Sequence, residues 1–223
     1  MRKLALLVAV CALTMTQAAL AEDINPPWWG GLPGTTVQGW EFLSPDPFPP
    51  PDLLNNEYGD PYIEVIPLAG AGWFETKGQA PFIGWWPLSG EIWVEVPNVP
   101  EWNPWKEIWI QITWSPQDVG EFPIIEVEAP DPTGMMVPYG PFDEPIMEEL
   151  LYFDPSGADP TEVWHSTYDI WIPDNPEFEV IHIFGTIDID ELIIDTRCTV
   201  PEPGTLALAG IGLLSLLGLR RRK

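Results

Sequence analysis

Apolar and polar residues alternate along the chain in short runs, and the runs predict strands. In residues 91–96, Ile92, Val94 and Val96 point to one side and Glu91, Trp93 and Glu95 to the other. Residues 107–114 repeat the pattern, with Ile108, Ile110 and Ile112 opposite Trp109, Gln111 and Thr113. If these isoleucine rows face the core, Trp93 and Trp109 are exposed or covered by a loop. Further strands are predicted over 35–42, 62–68, 72–75, 124–129, 162–172, 177–184 and 186–196. Residues 144–152 fit either a helical turn or an edge strand. Residues 25–33 read as irregular, and 46–60, DPFPPPDLLNNEYGD, as a proline-rich loop. Short strands punctuated by Pro and Gly predict an all-β domain, a single antiparallel β-sandwich resembling a jelly roll.

Two apolar runs at the ends break the alternation. Arg2 and Lys3 precede an apolar run over 4–13, and Ala19-Leu20-Ala21 follows as an A-x-A site. This predicts a signal peptide over 1–21, cleaved after Ala21, with Ala19 and Ala21 as the recognised small residues. Cys11 lies inside the apolar run, which argues against a lipoprotein. At the other end, Val200-Pro201-Glu202-Pro203 punctuates the chain, 204–219 carries no charge, and Arg220, Arg221, Arg222 and Lys223 close it. Sixteen helical residues span about 24 Å, short of a bilayer core of about 30 Å, but bilayer thinning and snorkelling bases let such a helix cross. The prediction is one short C-terminal transmembrane helix with its bases cytoplasmic and all before Gly204 outside. The tail fits a plain anchor or a signal that a membrane enzyme reads and cuts.

Val200, Pro201, Glu202 and Pro203, the apolar run and the Arg220, Arg221, Arg222 cluster resemble the PEP-CTERM sorting signal of bacterial exported proteins. The resemblance implies recognition by exosortase, a membrane-embedded cysteine protease-transpeptidase, and delivery to the cell surface or an extracellular matrix. It covers the tail alone. Phrases of the middle also resemble uncharacterised PEP-CTERM surface proteins: 25–28 NPPW, 34–42 GTTVQGWEF, 106–111 KEIWIQ and 187–196 IDIDELIIDT. That resemblance implies one sandwich domain and brings no activity with it.

Charge sharpens the picture of the middle, residues 22–199. Its only bases are Lys77, Lys106 and Arg197, against 33 acids. Such a surface repels nucleic acid and anionic polymers and attracts divalent cations or basic partners. All 13 Trp fall in this segment, so a packed core is expected in spite of the charge. Cys198 is the one cysteine of the mature chain, which excludes an intrachain disulfide; it reads as a buried or edge thiol, or as a bridge between chains.

Candidate chemistry is sparse. Trp85, Trp86, Trp102 and Trp105 sit in Pro- and Gly-rich surroundings, so they are placed on loops or rims. There an indole face stacks on a sugar ring while neighbouring acids take its hydroxyls, or it caps the sandwich edge. At least one of Trp85 and Trp86 is expected to be exposed, since a loop cannot bury two adjacent indoles against one sheet. Asp188, Asp190 and Glu191 cluster on the last strand, Asp188 and Asp190 on one face by the period of two. They form a solvated acidic face or oxygen ligands for a structural Ca²⁺. His165 and His182 each lie within a strand, and no H-x-x-x-H, G-x-S-x-G or C-x-x-C pattern occurs. The sequence therefore predicts a non-catalytic surface or matrix protein, structural or adhesive. The alternatives are a module that binds extracellular polysaccharide and, less favoured, a secreted glycoside hydrolase.

Overall fold

The computed structural model describes residues 23–67, 72–88, 90–98, 104–156, 160–173 and 175–199. Among them the chain forms thirteen strands and no helix. These are β1 (Thr35–Trp40), β2 (Leu53–Asn55), β3 (Tyr62–Ile66), β4 (Phe74–Thr76), β5 (Ile83–Leu88), β6 (Glu91–Pro97) and β7 (Trp105–Pro116). They continue as β8 (Ile124–Pro130), β9 (Met136–Phe142), β10 (Met147–Asp154), β11 (Thr161–Pro173), β12 (Phe178–Phe184) and β13 (Ile187–Thr199). The signal peptide with Ala19 and Ala21, Trp102, the tail span and the sorting residues Val200, Pro201, Glu202, Pro203, Arg220, Arg221 and Arg222 lie outside the described residues. No helix of the described residues is long and apolar enough to cross a membrane.

Two antiparallel sheets face each other. The larger runs β10-β11-β7-β13-β1-β2, with β5 and then β4 added beside β13; the smaller runs β3-β6-β12-β8-β9. Stripped of additions, the sheets are β11-β7-β13-β1 and β6-β12-β8-β9, the interleaved double Greek key of a jelly roll. The alternation explains the core. Ile108, Ile110 and Ile112 of β7 meet Ile92, Val94 and Val96 of β6, Ile125 and Val127 of β8, and Ile181 and Ile183 of β12 in one buried cluster. Each strand thereby hides one face, as its period of two requires.

β13 shows how a local irregularity keeps the pattern. Ile189 opposes Trp114 and Glu191 opposes Thr113, so Asp190 is the extra residue of a bulge. The bulge flips the parity of the strand. Ile187 and Ile189 before it and Leu192 and Ile194 after it can then all enter the core. One consequence corrects the sequence reading: Asp188 and Asp190 are not same-face neighbours at regular spacing, and Asp188 and Glu191 now share the outer face.

Other expectations shift as well. The proline-rich loop contains β2, because residues 53–55 find the free edge of β1 and pair with Val37, Gln38 and Gly39. The 144–152 region holds an edge strand, β10 (Met147–Asp154), against β11. The segment holding Trp85 and Trp86 is strand β5, not a loop. It pairs with β13 on one side and β4 on the other. Gly84, with φ +95°, permits this, since a Cβ there would lie 2.5 Å from the Phe42 carbonyl oxygen. A strand sends adjacent indoles to opposite faces. Trp86 enters the main core, and Trp85 enters a second cluster with Ala80 and Val163 on the sheet's outer side.

That outer side is also covered by the segment before β1. The Asn25 backbone N–H donates to Gln111 Oε1 at 2.8 Å, and Trp109 Nε1 donates to the Asn25 carbonyl at 2.8 Å. Gln111 Nε2 donates to Asp23 Oδ1 at 2.6 Å, and Trp29 Nε1 to Glu107 Oε1 at 2.7 Å. Trp109 is thus covered by a loop, one of the two placements the alternation allowed. Between the sheets, near the start of β7, Lys106 is buried with Glu179 of the opposite sheet, and Asn98 bonds to both. Burial raises the Glu179 carboxyl, and the Lys106 ammonium and Asn98 oppose that rise.

Candidate functional site: an acidic aromatic cleft

A cleft of about 600 Å³ opens at the end of the sandwich where β7 finishes and β11 begins. Trp114 and Tyr168, both buried on the core side of the larger sheet, reach its floor, and Trp164 and Phe122 line its wall. Five carboxylates surround it: Glu121, Asp143, Glu144, Glu148 and Glu162. They arrive from the β7–β8 connection, the β9–β10 connection, β10 and β11, so topology rather than local sequence assembles the group.

Hydrogen bonds orient parts of the cleft. Trp114 Nε1 donates to Ser166 Oγ at 2.9 Å, and Ser166 Oγ donates to Glu148 Oε1 at 3.3 Å. Trp164 Nε1 donates to Glu162 Oε2 at 3.1 Å, which sets an indole beside an acid. Tyr168 OH donates to the Pro123 carbonyl at 3.3 Å. Burial, then the charges of Glu148 and Asp143, push the Tyr168 phenol well above its usual range. It stays a neutral donor. Aromatic faces beside held carboxylates suit a ligand with apolar C–H faces and many hydroxyl or ammonium groups. Glu121, Asp143, Glu144 and Glu148 are exposed and Glu162 half-buried.

Further strongly perturbed groups lie on β11 and β13, away from the cleft. Burial, then Glu191 and Glu41, push Asp190 up to about 8. Burial, then Asp23, push Asp195 up to about 8. Burial holds His165 down at about 4, with its Nδ1 and Thr113 Oγ1 3.0 Å apart; Thr113 Oγ1 donates onward to Glu191 Oε2 at 3.2 Å. His182 pairs with Glu91. Cys198 Sγ is half-buried and donates to Asn175 Oδ1 at 2.8 Å.

The residues singled out from the sequence do not form one site. Trp85 and Trp86 are both buried, so neither presents a face to a sugar, contrary to the expected exposure; pairing of β5 with β13 overrides the Gly and Pro around them. Trp105 is exposed and stands opposite Thr199, at the other end of β13 from Trp86. Asp188, Asp190 and Glu191 are buried rather than solvated. Asp188 pairs with Lys77 and accepts from Gln117 Nε2 at 2.9 Å, while Asp190 sits on the bulge. Among the described residues no three Asp, Glu, His or Cys side chains converge as a metal site, and this trio is not gathered into one. Sequence reasoning missed the cleft. Its only local trace is Glu162 and Trp164, an acid and an indole two apart on one strand face.

A family model of the PEP-CTERM protein-sorting motif matches residues 199–223. No curated protein and no solved structure matches the chain. The match begins at Thr199, the last residue of β13. The motif implies export, membrane anchoring before processing, and then the cell surface, with exosortase as the processing partner. The last 25 residues thus carry a PEP-CTERM sorting motif, which supports an exported protein sorted by exosortase, and the described domain before it is all-β.

Proposed function

We propose that the protein is a non-catalytic, structural or adhesive protein of the cell surface or extracellular matrix. Exosortase removes the tail and the jelly-roll domain is what remains on display. The observation that carries this reading is the junction: the sorting motif follows the central strand β13 without a linker domain between them. Cells carrying a chain whose residues 22–199 are replaced by an unrelated folded domain should still sort it and should lose the adhesion or matrix retention that the natural chain confers. Equal adhesion by both would remove the role assigned to the sandwich.

A second reading, recognition of an extracellular polysaccharide, is favoured by the cleft, where Trp164 lies beside Glu162 and near Glu148. Calorimetric titration of the mature protein with surface-polymer fractions tests it. Saturable heat that disappears in Trp164→Ala, with the unfolding midpoint kept, supports a sugar site. Release of new reducing ends during the titration would instead favour the hydrolase.

A further inference from the structure

The larger sheet ends in a rim of apolar side chains on the side where β13 leads into the sorting motif. Trp28 is 80% exposed, Leu32 51%, Trp105 44% and Trp171 46%. The register gathers them. Trp105 stands opposite Thr199 of β13 and Pro173 of β11, and Trp171 opposite Glu107, which in turn faces Arg197. The Arg197 guanidinium lies 4.7 Å from the Trp28 ring, 5.0 Å from Trp29 and 5.9 Å from Trp171. Leu32 holds the start of β1 through its carbonyl, which accepts from the N–H of Thr35, the residue opposite Arg197.

Chain length fixes where this rim can be. Four residues, and so five Cα-to-Cα steps, lie between Thr199 and Gly204, where the uncharged run of the tail begins. Fully extended they reach at most about 18 Å. The headgroup layer of one leaflet accounts for about 5–8 Å of that reach. With the tail in the membrane, the rim is held at the interface or just above it. Trp favours that layer, because an indole has an apolar body and one polar N–H. Charge supplies no attraction, so any docking there is apolar. A domain with so many acids is repelled by anionic headgroups, yet the two bases at this end are internally matched. Arg197 is bonded to Glu107 at 2.5 Å, and Lys106 is buried with Glu179.

We propose that Trp28, Leu32, Trp105 and Trp171 dock on the lipid bilayer interface while the tail is still attached. The rim seats the tail end of the sheet on the membrane, so that the sorting motif follows from a domain held close to the bilayer. The proposal rests on the reading that the tail enters the membrane near Gly204, and it adds an affinity of the domain's own.

Indole fluorescence of the full chain in phosphatidylcholine vesicles tests it, with a doxyl spin label near the top of the acyl chain. The tail contains no Trp, so quenching reports the domain alone. Three chains are compared: the natural one, one with a twelve-residue Gly-Ser spacer inserted after Thr199, and the spaced chain with Trp28→Ser, Trp105→Ser and Trp171→Ser. Docking predicts that the spaced chain keeps about two thirds or more of the natural quench, because interfacial Trp holds the rim down without a short tether. The substituted chain should lose most of it while still floating with the vesicles and keeping its unfolding midpoint. Quench that disappears on spacing alone means passive tethering and overturns the proposal, whether or not the substituted chain folds. A floating natural chain without quench overturns it too. A natural chain that fails to float sinks the anchoring reading, and the rim with it. Spaced-chain quench that survives all three substitutions moves the contact to another surface.

Discussion

At the tail end of the larger sheet the indoles face outward and the charges face one another; at the far end, about 30 Å along β7, the arrangement is reversed. Trp28, Trp105 and Trp171 are exposed at the first end, while Lys106 pairs with Glu179, and Arg197 with Glu107, inside or partly inside the fold. At the second end Trp114 and Tyr168 sink into the floor of a cleft and Glu121, Asp143, Glu144 and Glu148 reach solvent. On the proposals above, the same two residue classes would serve attachment at one end and recognition at the other. Which of them reaches water is set by strand parity and by what the adjoining connection covers, not by composition.

The interior charge at the tail end gives the largest expected effect. Lys106→Ala leaves Glu179 buried without its cation and should lower the stability by about 3–5 kcal/mol in urea unfolding. Pairing Lys106→Met with Glu179→Leu should recover most of that loss, because both desolvated charges go together. A single variant as stable as the natural chain would mean that the inter-sheet pair is not formed. Close behind comes the contrast between indoles. Trp85→Ala should cost about 3–5 kcal/mol, since it empties the cluster with Ala80 and Val163. Trp28→Ala should stay within about 0.5 kcal/mol. Equal midpoints for the two would erase the distinction between buried and rim tryptophans.

The covered outer face between the two ends should respond to pH. Asp190 and Asp195 are raised to about 8, so the folded state holds protons there that the unfolded chain releases near the ordinary carboxyl value. Stability is then present at low pH and falls as pH rises through about 8. His165, held at about 4, acts oppositely: its contribution is lost as pH falls from about 6.5 toward 4. Above pH 6.5 only the carboxyls remain, and the melting temperature should decline toward pH 8–9. Asp195→Asn should flatten that decline and leave the value near pH 3, below the ordinary carboxyl range, nearly unchanged; an unaltered slope would locate the titration elsewhere. The cleft should respond only weakly in stability. Trp164→Ala should move the midpoint by about 1 kcal/mol or less, because the indole is only partly buried at the rim of the core. A loss as large as that of Trp85→Ala would make Trp164 part of the core and weaken the cleft as a binding site.

Much of the fold was legible because the isoleucine rows of β6 and β7 keep a strict period of two, and only one face of each can be core. Even the bulge left a mark. In Ile187-Asp188-Ile189-Asp190-Glu191-Leu192 the period breaks at two adjacent acids, which is where the extra residue sits. The misplaced pair Trp85 and Trp86 shows the limit. Gly84 and Pro87 are local turn cues, but the strand is decided by the open edge of β13 beyond the end of β1, a partner about 100 residues away in sequence. The cleft was illegible for the same reason: its acids come from four segments that only the jelly-roll connections bring together. The covering of the outer face by Asp23, Asn25 and Trp29 likewise depends on side-chain hydrogen bonds that no periodicity encodes.

The division into an attachment end and a display end depends on what happens just beyond Thr199, and the C-terminal mass of the protein recovered from the cell surface tests it most directly. Exosortase processing predicts a chain that ends between Pro201 and Gly204 and lacks Arg220, Arg221, Arg222 and Lys223. Surface protein that retains those four bases would contradict it and leave a plain membrane anchor.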